Sequence, residues 1–214
     1  CTRCGWVEDL SRNYRNKPYI SGGLCPNCRE DDRLESDRAE SVEWSAQILQ
    51  RDDVLILDSE TTDLDGEIIE LAIINLKGET LFNGRFNPIT PISAGARAVH
   101  GISAEMVANE PCFADCAPDV VKLLASAGVV LIYNAAFDVA RLRHTFKLHG
   151  VQMPDFKADC IMLQWSQYCG QWSDYHGNYR WQPLGGGDHS ALGDCIAALG
   201  CIKEMAKEGS NEHI

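Results

Sequence analysis

The sequence predicts an α/β fold, a mixed sheet flanked by helices, with a small separate module at the N-terminus. Two observations predict the sheet: three apolar segments joined by short turns follow residue 53, and a continuous apolar run lies at 129–133. Segments with helical periodicity surround that run, and strands that alternate with helices are typical of α/β domains. Two close pairs of cysteines within residues 1–28 predict the separate module.

The cysteine pairs have the spacing of a zinc site. Cys1 and Cys4 are followed after twenty residues by Cys25 and Cys28, and a C-x2-C pair can present two thiolates to one tetrahedral ion. We therefore expect one structural Zn²⁺ in a module at residues 1–33. Two unrelated redox pairs are the alternative. Basic and aromatic residues lie between the pairs, so the module could contact nucleic acid or dock on a protein partner, and the sequence does not choose.

Bulk composition limits the class of protein. The chain has 214 residues, 45% hydrophobic and 23% charged, which is typical of a globular protein. No apolar run approaches the ~20 residues that span a bilayer, so we expect no membrane association. The other six of the ten cysteines are scattered through predicted helices, which favours a reducing cytoplasm. The formal net charge of −12 argues against a passive nucleic-acid binder but not against an enzyme that recruits cations.

The segment at 34–52 is expected to be an acidic helical linker. Ser41, Trp44, Ile48 and Leu49 suggest a short amphipathic helix that docks on the following domain. We place that α/β domain at 53–208 and a tail at 209–214. Its first strand ends near Asp58, a turn at Asp65-Gly66 precedes a strand at 68–76, and a turn at Lys77-Gly78 precedes a strand at 80–86.

The second half of the domain alternates helices with a buried strand. A short helix is expected after Ser103 and a longer one at 118–127, which Gly128 ends. The apolar run at 129–133 predicts a strand that is buried on both faces. Helices are then expected at 136–149, after Asp159 as its N-cap, and at 190–207. The segment at 165–188 is rich in Trp, Tyr and Gly, and its aromatic rings could stack on bases or pack against the core.

Acidic residues follow the strands at two places and begin the last helix. Asp58 and Glu60 share one face of the first strand, whereas Ser59 points to the other face. Two acids on one edge of an apolar strand are costly without a cation between them, although a strand that runs into an acidic loop is the simpler alternative. Asp138 and Asp194 each lie near a helix start, where an acid also complements the helix dipole.

These acids form three motifs in a fixed order: Asp58-Ser59-Glu60, Asn134-x3-Asp138 and His189-x4-Asp194. In this order, and with the segment from Ala98 to Ile102, the chain resembles the DEDDh exonucleases over residues ~53–207. The position four residues before Asp194 is Ser190 rather than the Tyr of the sister group, and His189 lies five residues before it, which indicates the His branch. The resemblance implies a ribonuclease H-like sheet within the α/β domain.

The resemblance also implies a chemistry. Four carboxylates, those of Asp58, Glu60, Asp138 and Asp194, would hold two Mg²⁺ or Mn²⁺ ions, because hard oxygen ligands suit these cations. His189 would be the general base that deprotonates the attacking water, a role that suits an imidazole near neutral pH. The expected reaction is hydrolysis from the 3′ end of DNA, with single-stranded ends favoured, to nucleoside 5′-monophosphates.

Substrate contacts are expected beside the first two motifs. By resemblance, the 3′-terminal nucleotide would lie against Thr61, Thr62, Leu64, His100, Asn134 and Phe137. His100 could instead be a structural histidine that caps a turn. Three alternatives stay open for the whole chain. It could be an exoribonuclease of the same family, a non-catalytic module docked through the zinc ribbon, or an exonuclease that the ribbon tethers to a protein partner.

Overall fold

A five-stranded mixed sheet forms the centre of the computed structural model, which describes residues 2–3 and 26–210. The strands are β1 (Val54–Thr61), β2 (Ile68–Asn75), β3 (Thr80–Arg85), β4 (Val129–Ile132), β5 (Ala158–Cys160), β6 (Trp172–Ser173) and β7 (Asn178–Tyr179). The helices are α1 (Pro26–Leu49), α2 (Ala94–His100), α3 (Ala104–Val107), α4 (Phe113–Ser126), α5 (Ala135–Leu148), α6 (Ile161–Cys169) and α7 (Ala191–Ser210).

The sheet has the strand order β3-β2-β1-β4-β5, and β6 and β7 form a separate hairpin. The three strands β1 to β3 are antiparallel neighbours, whereas β4 pairs in parallel with both β1 and β5. The predicted mixed sheet flanked by helices is therefore confirmed. The parallel pairing of β1 with β4 matters for the site, because it brings the carboxyl ends of these two strands to the same edge of the sheet.

Alternation along β1 sends its side chains into two separate cores. Val54 and Ile56 pack on one face together with residues of α1, α6 and α7. Leu55 and Leu57 pack on the other face, against α4 and α5. The sheet is thus the middle of three layers, and the parity of a residue in β1 decides which helices it meets. Asp58 and Glu60 continue the parity of Ile56, whereas Ser59 continues that of Leu57.

Helix α1 is longer than the short helix expected from residue 41, and it packs along α6 and α7. The Trp44 indole donates a hydrogen bond to the Asp159 carboxylate at 3.2 Å, and the Arg38 guanidinium pairs with Glu208 at 2.8 Å. Because the helix begins at Pro26, the predicted boundary between residues 33 and 34 falls inside it. Of the predicted zinc ligands, Cys28 lies in α1, whereas Cys1, Cys4 and Cys25 lie outside the described residues.

Several further elements differ from the sequence expectation. Helix α4 begins at Phe113 rather than at residue 118, because Cys112 and Asp115 form a capping box ahead of the proline. Helix α2 and strand β5 were not expected at all. Asp159 lies in β5 rather than at the N-cap of α6, which is Cys160.

No helix among residues 26–210 is long and apolar enough to cross a bilayer. Among the residues that the structure describes, the free thiols of the α/β domain are those of Cys112, Cys116, Cys160, Cys169, Cys195 and Cys201. Burial raises the pKa of the Cys195 thiol well above its ordinary value. Cys195 packs under β1 and β2, where its thiol faces the carbonyl oxygens of Ile56 and Ala72, so it fills the core beneath the acidic strand end.

Candidate active site

Three carboxylates meet at the end of β1. One oxygen each from Asp58, Glu60 and Asp194 lies within 4.8 Å of the others. Strand parity explains the arrangement, since Asp58 and Glu60 face the side of the sheet that α7 covers, and Asp194 stands in the first turn of α7. Carboxylates packed this closely repel one another, so the arrangement suits a divalent cation.

Asp138 reaches the same strand end from the opposite layer. It stands in the first turn of α5, is 4% exposed, and accepts a hydrogen bond from the Ser59 hydroxyl at 2.7 Å. Ser59 has the parity that faces α5, so the strand holds Asp138 with one face and presents Asp58 and Glu60 on the other. The sequence placed Ser59 on this face, but nothing in it revealed that the hydroxyl would hold the fourth acid.

Burial and mutual repulsion raise the pKa values of all four acids. Burial raises the pKa of Asp58 well above its ordinary value, and the charge of Asp138 raises it further. Burial, with repulsion from Asp194, raises the pKa of Glu60 to about 8. Burial raises the pKa of Asp138 to about 7, although the hydrogen bond from Ser59 lowers it, and burial also raises the pKa of Asp194. Such perturbed acids are typical of functional sites.

The loop before α7 holds Asp194 through its backbone. The amides of Asp188 and His189 donate to Asp194 Oδ1 at 3.1 and 3.3 Å. Gly187 is required here, because a Cβ at this position would lie 2.4 Å from the same oxygen. His189 has a positive φ of 58°, which a non-glycine residue adopts only when its surroundings enforce it. The His189 side chain is exposed, and its charge lowers the pKa of Asp194.

Glu70 fixes the start of α7 to the sheet. This buried acid of β2 stands directly across from Glu60, and its two oxygens accept from Arg85 Nε at 2.7 Å and from the Ala191 amide at 2.9 Å. Ala191 is the first residue of α7, so the bond satisfies one of the free amides at the helix start. Glu70 thereby sets the position of the helix that carries Asp194.

A cleft of about 410 Å³ opens beside the carboxylates. Its walls are Ser59, Glu60, Thr61, Asp63, Leu64, Gly95, Ala96, Val99, His100 and Phe137. Leu64 is 81% exposed and faces the opening, so the cleft offers an apolar surface next to acidic oxygens. Helix α2 contributes a whole wall of it, of which the sequence predicted His100 but not Gly95, Ala96 and Val99. Ser93, which accepts from the Ala96 amide, and the left-handed Gly101 after the helix were the available capping signals.

The predicted substrate contacts divide into three groups. Leu64, Phe137 and Thr61 line the cleft, although the Thr61 hydroxyl donates to the Asp63 carbonyl at 2.8 Å. Thr62 is 1% exposed and its hydroxyl meets Thr90 and the Glu67 amide, so it lies behind the wall.

His100 and Asn134 make hydrogen bonds with backbone groups of the chain. His100 Nδ1 accepts from the Ile102 amide at 2.9 Å, which leaves Nε2 to donate to the Thr61 carbonyl at 3.2 Å. The ring therefore ties the end of α2 to the end of β1 while one side of it lines the cleft. The Asn134 carbonyl accepts from the Phe137 and Asp138 amides and begins α5.

The donor set fits hard divalent cations. Among the residues that the structure describes, no Lys, Arg or His forms an ion pair with any of the four acids, so no salt bridge neutralises their repulsion. Carboxylate oxygens without nitrogen or sulfur ligands favour Mg²⁺ or Mn²⁺ over softer metals. The fold and this cluster together define an α/β domain with an acidic, cation-binding strand edge.

Comparison with known proteins agrees with this class. The model of the RNase T family, described as Exonuclease, matches residues 55–201. The Uncharacterized exonuclease CP81 of Escherichia phage 186 is 35% identical over 178 residues, which are 74% of this chain and 91% of that protein. The DNA polymerase III subunit epsilon of Rickettsia typhi is 35% identical over 102 residues, 44% of each chain, so the match spans less than half of that subunit.

Solved structures show the same fold. A structure titled Exonuclease X in complex with 5′ overhanging duplex DNA has 28% identity and a TM-score of 0.51, and covers 73% of this chain and 93% of that one. Exonuclease I of E. coli, in complex with an oligonucleotide, has 16% identity and a TM-score of 0.55, with coverage of 74% and 43%. The chain therefore belongs to the exonuclease family and is a hydrolytic nuclease.

Proposed function

We propose that this chain is a metal-dependent 3′→5′ exonuclease of the DEDDh type that releases nucleoside 5′-monophosphates from DNA. The observation that carries the proposal is the close group of Asp58, Glu60 and Asp194 at the mouth of the apolar cleft. A terminal nucleotide placed in the cleft would hold its scissile phosphate beside these oxygens. A group of acids that could hold two cations beside a slot for a nucleotide suits phosphoryl transfer.

The residues would share the work as follows. Asp58, Glu60, Asp138 and Asp194 would hold two Mg²⁺ or Mn²⁺ ions, with Ser59 orienting Asp138. Bound cations of this kind neutralise charge on the scissile phosphate and lower the pKa of the attacking water.

Leu64 and Phe137 would pack on the terminal nucleotide, which orients the phosphate and excludes water from around it. His189 would accept the proton of the attacking water, since its exposed ring follows directly on the loop that binds Asp194.

Relatives favour DNA as the substrate. The 28% identical Exonuclease X structure contains duplex DNA with a 5′ overhang, and the epsilon relatives are named as DNA polymerase III subunits. A 5′ overhang leaves a recessed 3′ end, so both single-stranded and recessed ends are candidate substrates. The 3′ ends of single-stranded DNA remain our first choice, because the cleft is an open slot that an unpaired terminal base can enter.

A trimming assay tests the proposal. Single-stranded DNA, recessed duplex DNA and RNA of equal length, each labelled at the 5′ end, are incubated with the protein and Mg²⁺ or Mn²⁺. We expect a ladder that shortens from the 3′ end, nucleoside 5′-monophosphates as products, and faster loss of the DNA substrates. Asp58→Asn is the inactive control. Absence of metal-dependent trimming in the parent protein would overturn the proposal, and faster loss of RNA would replace DNA by RNA as the substrate.

We further propose one Zn²⁺ bound by Cys1, Cys4, Cys25 and Cys28. The spacing supports it, and so does Arg3, whose side chain pairs with Asp32 and Glu35 of α1. Asp32 and Glu35 lie four and seven residues after Cys28, so they share the face of α1 that carries the Cys28 side chain. Their ion pairs hold Arg3, the residue before Cys4, on that face. Cys28 is 5% exposed, as a metal ligand would be.

Elemental analysis tests this second proposal. The purified protein should carry one equivalent of zinc, and Cys28→Ser with Cys25→Ser should carry none. A truncation that removes residues 1–25 leaves α1 whole and asks whether the module handles substrate or tethers the enzyme to a protein partner. Unchanged trimming of short oligonucleotides by this truncation would favour the tether. Zinc-free parent protein prepared without chelators would refute the site.

A further inference from the structure

The hairpin of β6 and β7 belongs to the aromatic segment that the active site does not use, and its two sides differ. One side is fixed to α1. The Arg33 guanidinium lies 3.8 Å from the centre of the Trp172 ring, and the Tyr179 hydroxyl donates to the Asp37 carboxylate. Trp172 and Tyr179 also meet edge to face across the hairpin at 5.2 Å. This side is therefore packing, and it gives the hairpin a rigid base.

The other side displays aromatic rings to solvent. Tyr175 is 91% exposed and Trp181 is 68% exposed, and they are the two most exposed aromatic side chains among residues 26–210. With Arg180 and His176 they border a groove of about 680 Å³, which we call the aromatic groove. Its lining is Ser173, Tyr175, His176, Asn178, Tyr179, Arg180 and Trp181. The two exposed rings are not needed to pack the hairpin, so they are available to contact another molecule.

The aromatic groove is connected to the catalytic edge of the sheet. The Tyr133 hydroxyl donates to the Gln182 carbonyl at 2.8 Å, and Tyr133 directly follows β4 and precedes the helix that carries Asp138. This hydrogen bond holds Gln182, the residue after Trp181, near the carboxyl end of β4. From Trp181 the chain runs eight residues to His189, which is at most about 28 Å when fully extended.

We propose that the aromatic groove binds unpaired bases of the same nucleic-acid strand whose 3′ end occupies the cleft. The inference rests on the proposed exonuclease function and adds a second contact region for its substrate. Bases in a single strand follow one another at about 3.4 Å when stacked, so the groove is within reach of bases at most about eight positions from the 3′ end. Nucleobases fit the lining, because flat rings stack on Tyr and Trp and the guanidinium of Arg180 can also stack.

The charge of the groove favours bases over phosphates as the part that is recognised. Arg180 is the one Lys or Arg in the lining of the groove, and the whole chain has a net charge of −12. A phosphate-binding surface would be strongly basic and its affinity would fall steeply with salt. Stacking on rings depends little on salt and tolerates any base, so the groove would grip a strand without reading its sequence. It would thereby raise the affinity for long single strands over short ones.

The test compares a long substrate with one that cannot reach the groove. The variants are Tyr175→Ala with Trp181→Ala, Trp181→Phe, and Leu81→Ala as a control for loss of an exposed apolar side chain in β3. KM is measured for a single-stranded DNA of about twenty nucleotides and for the p-nitrophenyl ester of thymidine 5′-monophosphate. Since stacking contributes about 1–3 kcal/mol per base, we expect the double variant to raise KM for the DNA by about tenfold to a hundredfold. The ester kinetics should not change, and Trp181→Phe and Leu81→Ala should behave like the parent.

A binding measurement keeps the inference separable from the proposed function. DNA that carries 2-aminopurine four to eight positions from its 3′ end should lose fluorescence on binding to the parent in the presence of Ca²⁺, as its base stacks. That quenching should disappear in the double variant, even if the parent hydrolyses nothing. Equal KM and equal quenching in parent and double variant would overturn the groove. Loss of self-association in the double variant, with DNA binding unchanged, would make the surface a contact between protein chains and would also overturn it.

Discussion

The Ser59 hydroxyl donates a hydrogen bond to Asp138 Oδ1 at 2.7 Å, and this contact joins the two layers of the candidate active site. Ser59 lies between Asp58 and Glu60 in β1, so a single stretch of three residues presents two ligands on one face and orients the fourth acid from the other. The hydrogen bond favours the charged form of Asp138, whose pKa burial raises to about 7. Ser59 is therefore a positioning residue for a carboxylate that must be ionised to hold a cation.

Ser59→Ala should weaken cation binding without unfolding the protein. The pKa of Asp138 should rise further, because the bond that lowers it is lost. Loss of a residue that orients a metal ligand typically costs about tenfold to a hundredfold in metal affinity. We expect the Mg²⁺ concentration for half-maximal trimming to rise by that factor, and the effect to shrink as the pH is raised. Ser126→Ala, at an exposed serine of α4, is the matched control. An unchanged Mg²⁺ requirement would show that Ser59 does not position Asp138.

The four acids also predict how stability depends on pH without metal. In the unfolded chain they titrate near pH 4, whereas burial raises the pKa of Glu60 to about 8 and that of Asp138 to about 7 in the folded protein. Between these values the folded state binds more protons than the unfolded state, so stability is lost as the pH rises through this window. In EDTA, Tm should fall between about pH 5 and pH 8.

Added Mg²⁺ should reverse that loss, because cation binding favours the ionised acids of the folded state. The rise in Tm on adding Mg²⁺ should therefore be larger near pH 8 than near pH 5. Glu60→Gln removes one of the titrating acids and should flatten the dependence in EDTA. A metal-free Tm that is constant or increases across this range would contradict the raised pKa values.

Variants of Glu70 and Arg85 should distinguish two effects of Glu70, the position that it gives to α7 and the effect of its charge on Glu60. Glu70→Gln replaces one acceptor oxygen by an amide that cannot accept from Arg85 or Ala191, so the start of α7 should loosen and kcat should fall by about tenfold to a hundredfold. The charge of Glu70 also raises the pKa of Glu60, so the acidic side of the profile of kcat against pH should move to lower pH. Arg85→Ala keeps that charge and serves as the comparison. A fall in Tm without movement of the pH profile would leave Glu70 with a structural role alone.

His189 and Asp58 should differ in what their loss removes. His189→Ala takes away the proposed proton acceptor, so kcat should fall by about 10²- to 10⁴-fold. Among the described residues the His189 ring forms no ion pair with the four acids, so Mg²⁺ should still raise Tm in this variant. Asp58→Asn should abolish both turnover and the Mg²⁺-dependent rise in Tm, because it removes a central oxygen ligand. Differential scanning fluorimetry and product analysis by anion exchange measure the two effects. Equal loss of both properties in the two variants would refute the division of roles.

The parts of the fold that the sequence predicted are those with a strong local pattern. Strand β4 is a continuous apolar run, β1 begins with four apolar residues, and β2 is apolar except for Glu70 and Asn75. Asp58 and Glu60 lie at the end of β1 and Asp138 follows β4, so the alternation of side chains and the strand ends together predict the acidic edge. Helix α2 has no buried residue among those that the structure describes and hence no apolar period, and β5 has only three residues. No sequence pattern therefore predicts α2 or β5. The contacts of Ser59 and Glu70 are tertiary, and no local pattern encodes them.

The glycines before His189 provide the sharpest test of how Asp194 is held. Gly187→Ala would place a methyl group 2.4 Å from Asp194 Oδ1, the oxygen that the Asp188 and His189 amides bind. Either the loop or the carboxylate must move, so we expect the Mg²⁺ requirement to rise by about tenfold or more and kcat to fall. Gly185→Ala, two residues away in the same loop, adds its methyl group to open space and should leave both unchanged. If both variants lose activity equally, the loop needs glycine for flexibility, whereas loss in Gly187→Ala alone shows that close approach of the backbone to Asp194 is what the site requires.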